Sequence, residues 1–267
     1  MLPLFLEFYH LSNFRGASHS FIDALRDEQT KRNITELHFT EIEYSNRPNS
    51  KYALAKRWLE ILSQSMSDFP KDLFIKFLGI NAKELNPESF GGSTAGKAFY
   101  REYSRFFRTL IKGAYAYFIK PLRYSDHRYI KQIFHDNQGI LEKDIDSNFK
   151  KQLSKALKED PELKLKTETV EFVSSNPGEG NENSYLIELA DLLVGLISHM
   201  YFPNKELSSK KKKARYKLAQ FFKNEILKKY IHKKPAQVSI SYFPENGDFY
   251  KPSFSKDAFN CEKRILK

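Results

Sequence analysis

Residues 184–202 are apolar on nearly every side, yet they include Glu188 and Asp191, followed by Gly195, Ser198 and His199. These polar positions recur at spacings of three and four, which puts them on one narrow seam of a helix. A helix apolar almost all round is a buried helix. Its carboxylates then need compensation from a basic side chain, backbone donors or a divalent cation. A seam that reaches solvent, or an internal Asp–Arg pair, would meet the same need. Two carboxylates would be costly in a bilayer core, so the segment does not read as a membrane span and no membrane partner is expected.

The rest of the chain supplies layers for such a helix to pack against. Short apolar runs at residues 4–9, 35–39, 72–80, 129–135 and 164–173 read as strands, and they alternate with helical patterns at 17–31, 51–66, 97–117 and 140–159. In the run at 35–39, Glu36 and His38 share one face and Leu37 and Phe39 the other. This order predicts an α/β fold, with helices flanking a mixed or largely parallel sheet. A further helix is expected at 208–231. Residues 238–243 and 249–254 flank a Pro-Glu-Asn-Gly-Asp turn, which predicts a terminal hairpin. No linker or internal repeat is visible. The expected division is one domain over residues 1–204, with a basic helix and C-terminal hairpin at 205–267 packed on it.

Of the 267 residues, 40% are apolar and 15% aromatic, which is enough for a sizeable core and excludes global disorder. The one cysteine, Cys261, excludes a disulfide framework and a Cys-rich zinc module. It suits a reducing, cytoplasmic setting. The opening MLPLFLEFYH lacks a basic flank and carries Glu7, so no secretory signal is expected.

Charge is concentrated. Residues 205–234 hold twelve Lys/Arg and two carboxylates, and so carry +10 of the net +11. A nearly neutral body with one strongly basic element suits a polyanion, because each phosphate neutralised releases counterions. Lys210, Lys211, Lys212, Lys213, Arg215 and Lys217 are the expected phosphate contacts, joined by a stripe of Lys97, Arg101 and Arg105 on the helix at 97–117. A solvated helix face or an acidic protein partner would use the same composition. Gly91-Gly92-Ser93-Thr94-Ala95-Gly96-Lys97-Ala98 nearly spells a phosphate-binding loop. However, Ala98 lacks the Mg²⁺-binding hydroxyl, and the preceding strand ends more than ten residues upstream. The segment reads instead as a loop leading into the next helix.

Asp191 lies among aliphatic residues, Asp136 closes an apolar strand, and Glu36 lies on a short run beside His38. The carboxyl end of a strand is where open α/β sheets place their sites. If Glu36, Asp136 and Asp191 converge, they form an oxygen-rich site suited to Mg²⁺ or Mn²⁺.

Three segments resemble the uncharacterised family known as domain of unknown function 3800. Thr35-Glu36-Leu37-His38-Phe39-Thr40-Glu41 looks like its Glu-bearing strand, and Ile133-Phe134-His135-Asp136 like its later strand with a terminal Asp. Glu171-Phe172-Val173-Ser174-Ser175 followed by Tyr185-Leu186-Ile187-Glu188-Leu189-Ala190-Asp191-Leu192-Leu193-Val194-Gly195 is similar to its closing strand and Ala-Asp helix. The resemblance spans about residues 4–230. It implies a ribonuclease-H-like fold and a metal-dependent nuclease-type site that includes Asp191, Asp136 and Glu36. Family members open with a strand bearing Asp-Glu-Ser-Gly, whose Asp is a central ligand, and their helix carries Gln where this chain has Glu188. No Asp-Glu-Ser-Gly occurs here. The expectation is that the chain starts downstream of that strand; otherwise Glu7 is the nearest stand-in.

The expected function is therefore hydrolysis of nucleic-acid phosphodiesters assisted by Mg²⁺ or Mn²⁺, with His38 or His199 aiding proton transfer. The alternatives are an inactive nucleic-acid-binding or complex-forming subunit of the same fold and a protein-interaction module with an acidic partner.

Overall fold

The computed structural model describes residues 5–10, 15–70, 73–79, 95–115, 118, 130, 132–136, 155, 170–174, 182–201, 208–231 and 237–242. In chain order these form β1 (Phe5–His10), α1 (Arg15–Lys31), a 3-10 turn (Phe39–Glu41), α2 (Lys51–Asp68), β2 (Leu73–Gly79), α3 (Ala95–Ala114), β3 (Phe134–Asp136), β4 (Glu171–Val173), α4 (Ser184–Tyr201), α5 (Lys210–Phe222), a π-helical turn (Lys223–Leu227), α6 (Lys228–Tyr230) and β5 (Val238–Tyr242). Helices and strands are mixed, as expected. Where one sheet was anticipated, the described strands make two small parallel ones, ordered β1-β2-β5 and β3-β4. All of the predicted helix at 140–159 but residue 155, the outer arm of the hairpin at 249–254 and most of the strand at 164–173 lie outside the described residues.

By packing, the chain forms two compact units. The first is built from residues 8–75 and 173–239, the second from 5–7, 76–172 and 240–242.

In the first unit α1 packs on α2 and α4, and α5 packs on α4 and α2. Each helix contributes the stripe its sequence spacing predicts. Leu25 from α1, Leu54, Trp58, Leu59 and Leu62 from α2, Leu192 and Leu196 from α4, and Leu218 and Phe222 from α5 are all buried. Trp58 is fully enclosed, and its indole N–H donates to the Leu25 carbonyl at 3.1 Å. Two turns of chain chemistry set the frame. Asn33 ends α1 in the left-handed conformation, φ 54°, which a short amide side chain tolerates. Ser50 starts α2, its hydroxyl accepting the Ala53 N–H. The π-helical turn interrupts the predicted helix at 208–231 and is tied to α2, because Ser63 donates to the Glu225 carbonyl and Tyr230 to the Ser63 carbonyl.

Residues 35–38 do not form the expected strand. Leu37 and Phe39 are buried and Glu36 and His38 half-exposed, so the predicted alternation of faces holds. The backbone groups, however, find side-chain partners instead of a neighbouring strand. Gln29 donates to the Thr35 carbonyl at 3.1 Å, and the Phe39 N–H donates to Asp191 at 2.9 Å. With those groups satisfied, the chain runs extended into the 3-10 turn.

In the second unit α3 buries Phe106, Phe107, Leu110, Ile111 and Ala114. The Glu171 N–H donates to the Ile133 carbonyl to pair β4 with β3. His135 is buried, with the rings of Phe107 and Phe172 at centroid distances of 5.1 and 5.0 Å.

Candidate functional site

The first unit brings the acidic seam of α4 against the segment carrying Glu36 and His38. His38 is the link. Its Nε2 lies 2.7 Å from Glu36 Oε1, and its Nδ1 lies 3.9 Å from Asp191 Oδ2. The contact to Glu36 is within hydrogen-bond distance and orients the imidazole, while Asp191 stands at ion-pair distance only, beyond direct proton transfer. Asp191 is half-exposed. Its Oδ2 accepts the Phe39 N–H, while its Oδ1 has no partner among the described residues.

Gly195, one turn after Asp191, makes this approach possible. A Cβ at position 195 would fall 2.2 Å from the Phe39 ring, far inside contact distance. Phe39 is thus held twice from α4, by its N–H on Asp191 and by its ring over Gly195.

Glu188, one turn before Asp191, behaves differently. Only 1% of it is exposed, and neither carboxylate oxygen has a hydrogen bond of good geometry. Burial pushes its carboxyl up to about 8, helped by the negative charge of Glu36. The Leu37 N–H and the Gln29 side chain pull the other way without closing such a bond. The Gln29 carbonyl oxygen is also buried without a partner, so a proton on Glu188 would serve both groups. At neutral pH Glu188 is therefore a neutral carboxyl beside two half-exposed ones.

His199 is not part of this group. It stands eight residues beyond Asp191 on α4, about 12 Å along the axis. It is buried, and burial, then the charge of Arg215, push its imidazole down, so it is held neutral.

The same segment that meets α4 at Phe39 meets α5 a few residues later. The Arg215 guanidinium lies 5.1 Å from the Phe39 ring centroid. The Tyr44 N–H donates to the Lys210 carbonyl at 3.0 Å. The ammonium groups of Lys213 and Lys217 both lie 4.4 Å from the Tyr44 ring centroid, within cation–π range, and Lys217 also donates to the Tyr44 hydroxyl at 3.1 Å. Lys210, Lys211, Lys213 and Lys217 are exposed, and Lys212 and Arg215 partly so. None of the six cations forms an ion pair with a described carboxylate. One stretch of chain, residues 36–44, therefore carries the acidic group at its start and touches the basic helix at its end.

The other expected residues lie in the second unit. Asp136 is the last residue of β3, half-buried, with His135 Nδ1 2.6 Å from its carbonyl. Lys97 and Arg101 lie on α3, and Arg105 is a half-buried residue of the same helix. The structure thus joins Glu36 to Asp191, while Asp136 belongs to a different unit. Sequence reasoning placed Glu188 and Gly195 on the seam but not in the site, read Phe39 only as a buried face, and passed over Gln29 and Tyr44. Gly195 had a visible signal, a glycine one turn from Asp191 in a helix with no other break. Tyr44 had none.

As for a metal, Glu36 and Asp191 offer hard oxygens, but among the described residues no three His, Cys, Asp or Glu are grouped so as to hold an ion. Their donor chemistry suits Mg²⁺, which takes one or two carboxylates from a protein and fills its other positions with water and substrate phosphate, although the His38 ring stands between the two. No helix among the described residues is long and apolar enough to cross a membrane. No protein-family model matches the chain, and neither does any curated protein or solved structure.

Proposed function

We propose that this protein is a divalent-metal-dependent nuclease of ribonuclease-H-like type, hydrolysing phosphodiester bonds of nucleic acid. One observation carries the reading: the Glu36–His38–Asp191 group and the lysine-dense face of α5 are joined through residues 36–44. Asp191, through Oδ1, and Glu36 would hold Mg²⁺ or Mn²⁺. Such an ion supplies an activated water and stabilises the leaving oxygen. His38 sits where it can exchange a proton with Glu36. The lysines of α5 hold the phosphate backbone, which positions a strand without reading its bases. Weak sequence preference follows. The likeness of residues 188–195 to the family's Ala-Asp helix supports the same reading.

The test is cleavage of labelled DNA and RNA by the purified chain with Mg²⁺, with Mn²⁺ and with EDTA. Metal-dependent cleavage that disappears in Asp191→Asn, with an unchanged circular-dichroism spectrum, supports the enzyme.

A second reading is a nucleic-acid-binding subunit without catalysis. The use of Asp191 Oδ2 as an acceptor for the Phe39 N–H favours it, because that role is structural. Salt-sensitive binding with no cleavage under any divalent ion would decide for this reading.

A further inference from the structure

Four lysines occupy the first turn of α5, Lys210 to Lys213, with no acidic residue there. This is the reverse of what helix stability favours, since the N-terminus of a helix is its positive end. Ser209 caps the helix, its hydroxyl accepting the Lys212 N–H, but does nothing for the charge. No carboxylate follows until Glu225, beyond the end of α5. Held this way, the helix is least stable alone and gains most when an anion covers it.

The outward side of α5 is not only cationic. With Ala214, Leu218, Ala219 and Phe222 buried, helical spacing turns Lys213, Tyr216, Lys217 and Gln220 away from the core. Tyr216 is 41% exposed, the large ring left open to solvent among the described residues. Beside it, Lys213 and Lys217 converge on Tyr44, whose ring is itself edge-on to Tyr52 at 5.1 Å. Two rings, Tyr216 on the helix and Tyr44 beside it, therefore accompany ammonium groups that pair with no described carboxylate, on a helix about 20 Å long for thirteen residues.

Duplex nucleic acid presents phosphates to such a face and keeps its bases stacked on one another, so an exposed ring gains little from it. A single strand presents phosphates and base faces together, and ring stacking accepts any base. From this match we infer that the outward face of α5, with Tyr216 and the Tyr44–Lys213–Lys217 group, is a track for single-stranded nucleic acid. This deepens the nucleic-acid reading above by naming its strandedness, and it does not require that the strand be cut.

The experiment is fluorescence anisotropy on the full chain with EDTA present, so that no cleavage interferes. The probes are a labelled oligothymidylate of about 15 nucleotides and a duplex of the same length, a span that fits a track of this kind. The single strand should bind at least tenfold more tightly. Tyr216→Ala should weaken single-strand binding about five- to hundredfold, the range for one lost stacking partner, and leave duplex binding within about twofold. Lys213→Gln with Lys217→Gln should weaken both and lower the single-strand salt slope by about 1.4 for two lost phosphate contacts. Because Tyr216 is exposed, its variant should melt like the parent, and a thermal melt checks that.

Equal or tighter duplex binding overturns the strandedness while leaving the nuclease reading standing. An unchanged single-strand affinity in Tyr216→Ala overturns the track. Displacement of the oligonucleotide by an equal charge of polyglutamate makes the face a general acid-binding surface and ends the proposal. Absence of binding to both probes ends this inference and the nucleic-acid reading together.

Discussion

The Asp191 carboxylate accepts the backbone N–H of Phe39 at 2.9 Å, across 152 positions of sequence. That bond is one job on the backbone; the proposed ion site would add a second at Oδ1, which has no partner among the described residues. Asp191→Asn keeps an acceptor for the N–H and should fold with near-parental stability. Asp191→Ala leaves a part-buried N–H without a partner, which costs about 1–3 kcal/mol. Both variants should lose metal-dependent cleavage. Urea melts of the pair separate the two jobs; equal stabilities would show that the bond to Phe39 contributes nothing.

Glu188 predicts a pH dependence. Its carboxyl is raised from 4.5 to about 8, so the folded state holds a proton that the unfolded chain releases. The stability this lends is complete below pH 4.5 and is lost as pH rises through about 8. Inside that window the slope should be about 1.4 kcal/mol per pH unit, acting against whatever other groups contribute. Glu188→Gln cannot release a proton and should be flatter over the same range, and more stable than the parent at its alkaline end. Denaturation midpoints at several pH values, with EDTA present, measure both. Parallel curves for parent and variant would rule out a buried proton at this position.

Gly195→Ala would bring a methyl group to 2.2 Å from the Phe39 ring. The ring must shift, and overpacking of this kind costs about 1–3 kcal/mol. Trimming the ring in Phe39→Leu should recover part of the loss when the two substitutions are combined. A double-mutant cycle reads the coupling. Strict additivity would mean that the two positions do not meet.

Removing the cap of the basic helix should weaken that helix selectively. Ser209→Ala deletes the acceptor for the Lys212 N–H, at about 0.5–2 kcal/mol. Hydrogen exchange should rise in the first turn of α5 and stay unchanged in α1, which α5 does not prominently contact. Added oligonucleotide should restore protection in that turn. Protection that stays low with saturating oligonucleotide would contradict a role for the lysine turn in binding.

The elements legible in the sequence are those whose periodicity is local. The stripes of α2 and α4, the wholly buried β2 and the alternating faces of residues 36–39 were all readable, because burial follows side-chain spacing whatever the neighbours are. Residues 35–39 were misjudged as a strand for a non-local reason. Alternation reports which faces are buried, whereas a strand also needs backbone partners, and here Gln29 and Asp191 supply them. The π-helical turn left no mark in composition. The acidic group was half legible. Glu188 and Asp191 were visible as polar positions on an apolar helix, but only the fold separates them into a buried neutral acid and a half-exposed acceptor. Nothing local joins Tyr44 to Lys213 and Lys217, since that meeting depends on how α5 lies beside the segment after the 3-10 turn.

The close fit of Phe39 over Gly195 also constrains how such a chain can diverge. Any descendant that gains a side chain at position 195 must first, or at the same time, accept a smaller residue at position 39, or let go of the backbone clasp at Asp191. The two positions should therefore drift as a pair, and a lineage that breaks the pairing should be one that has already stopped using the acid.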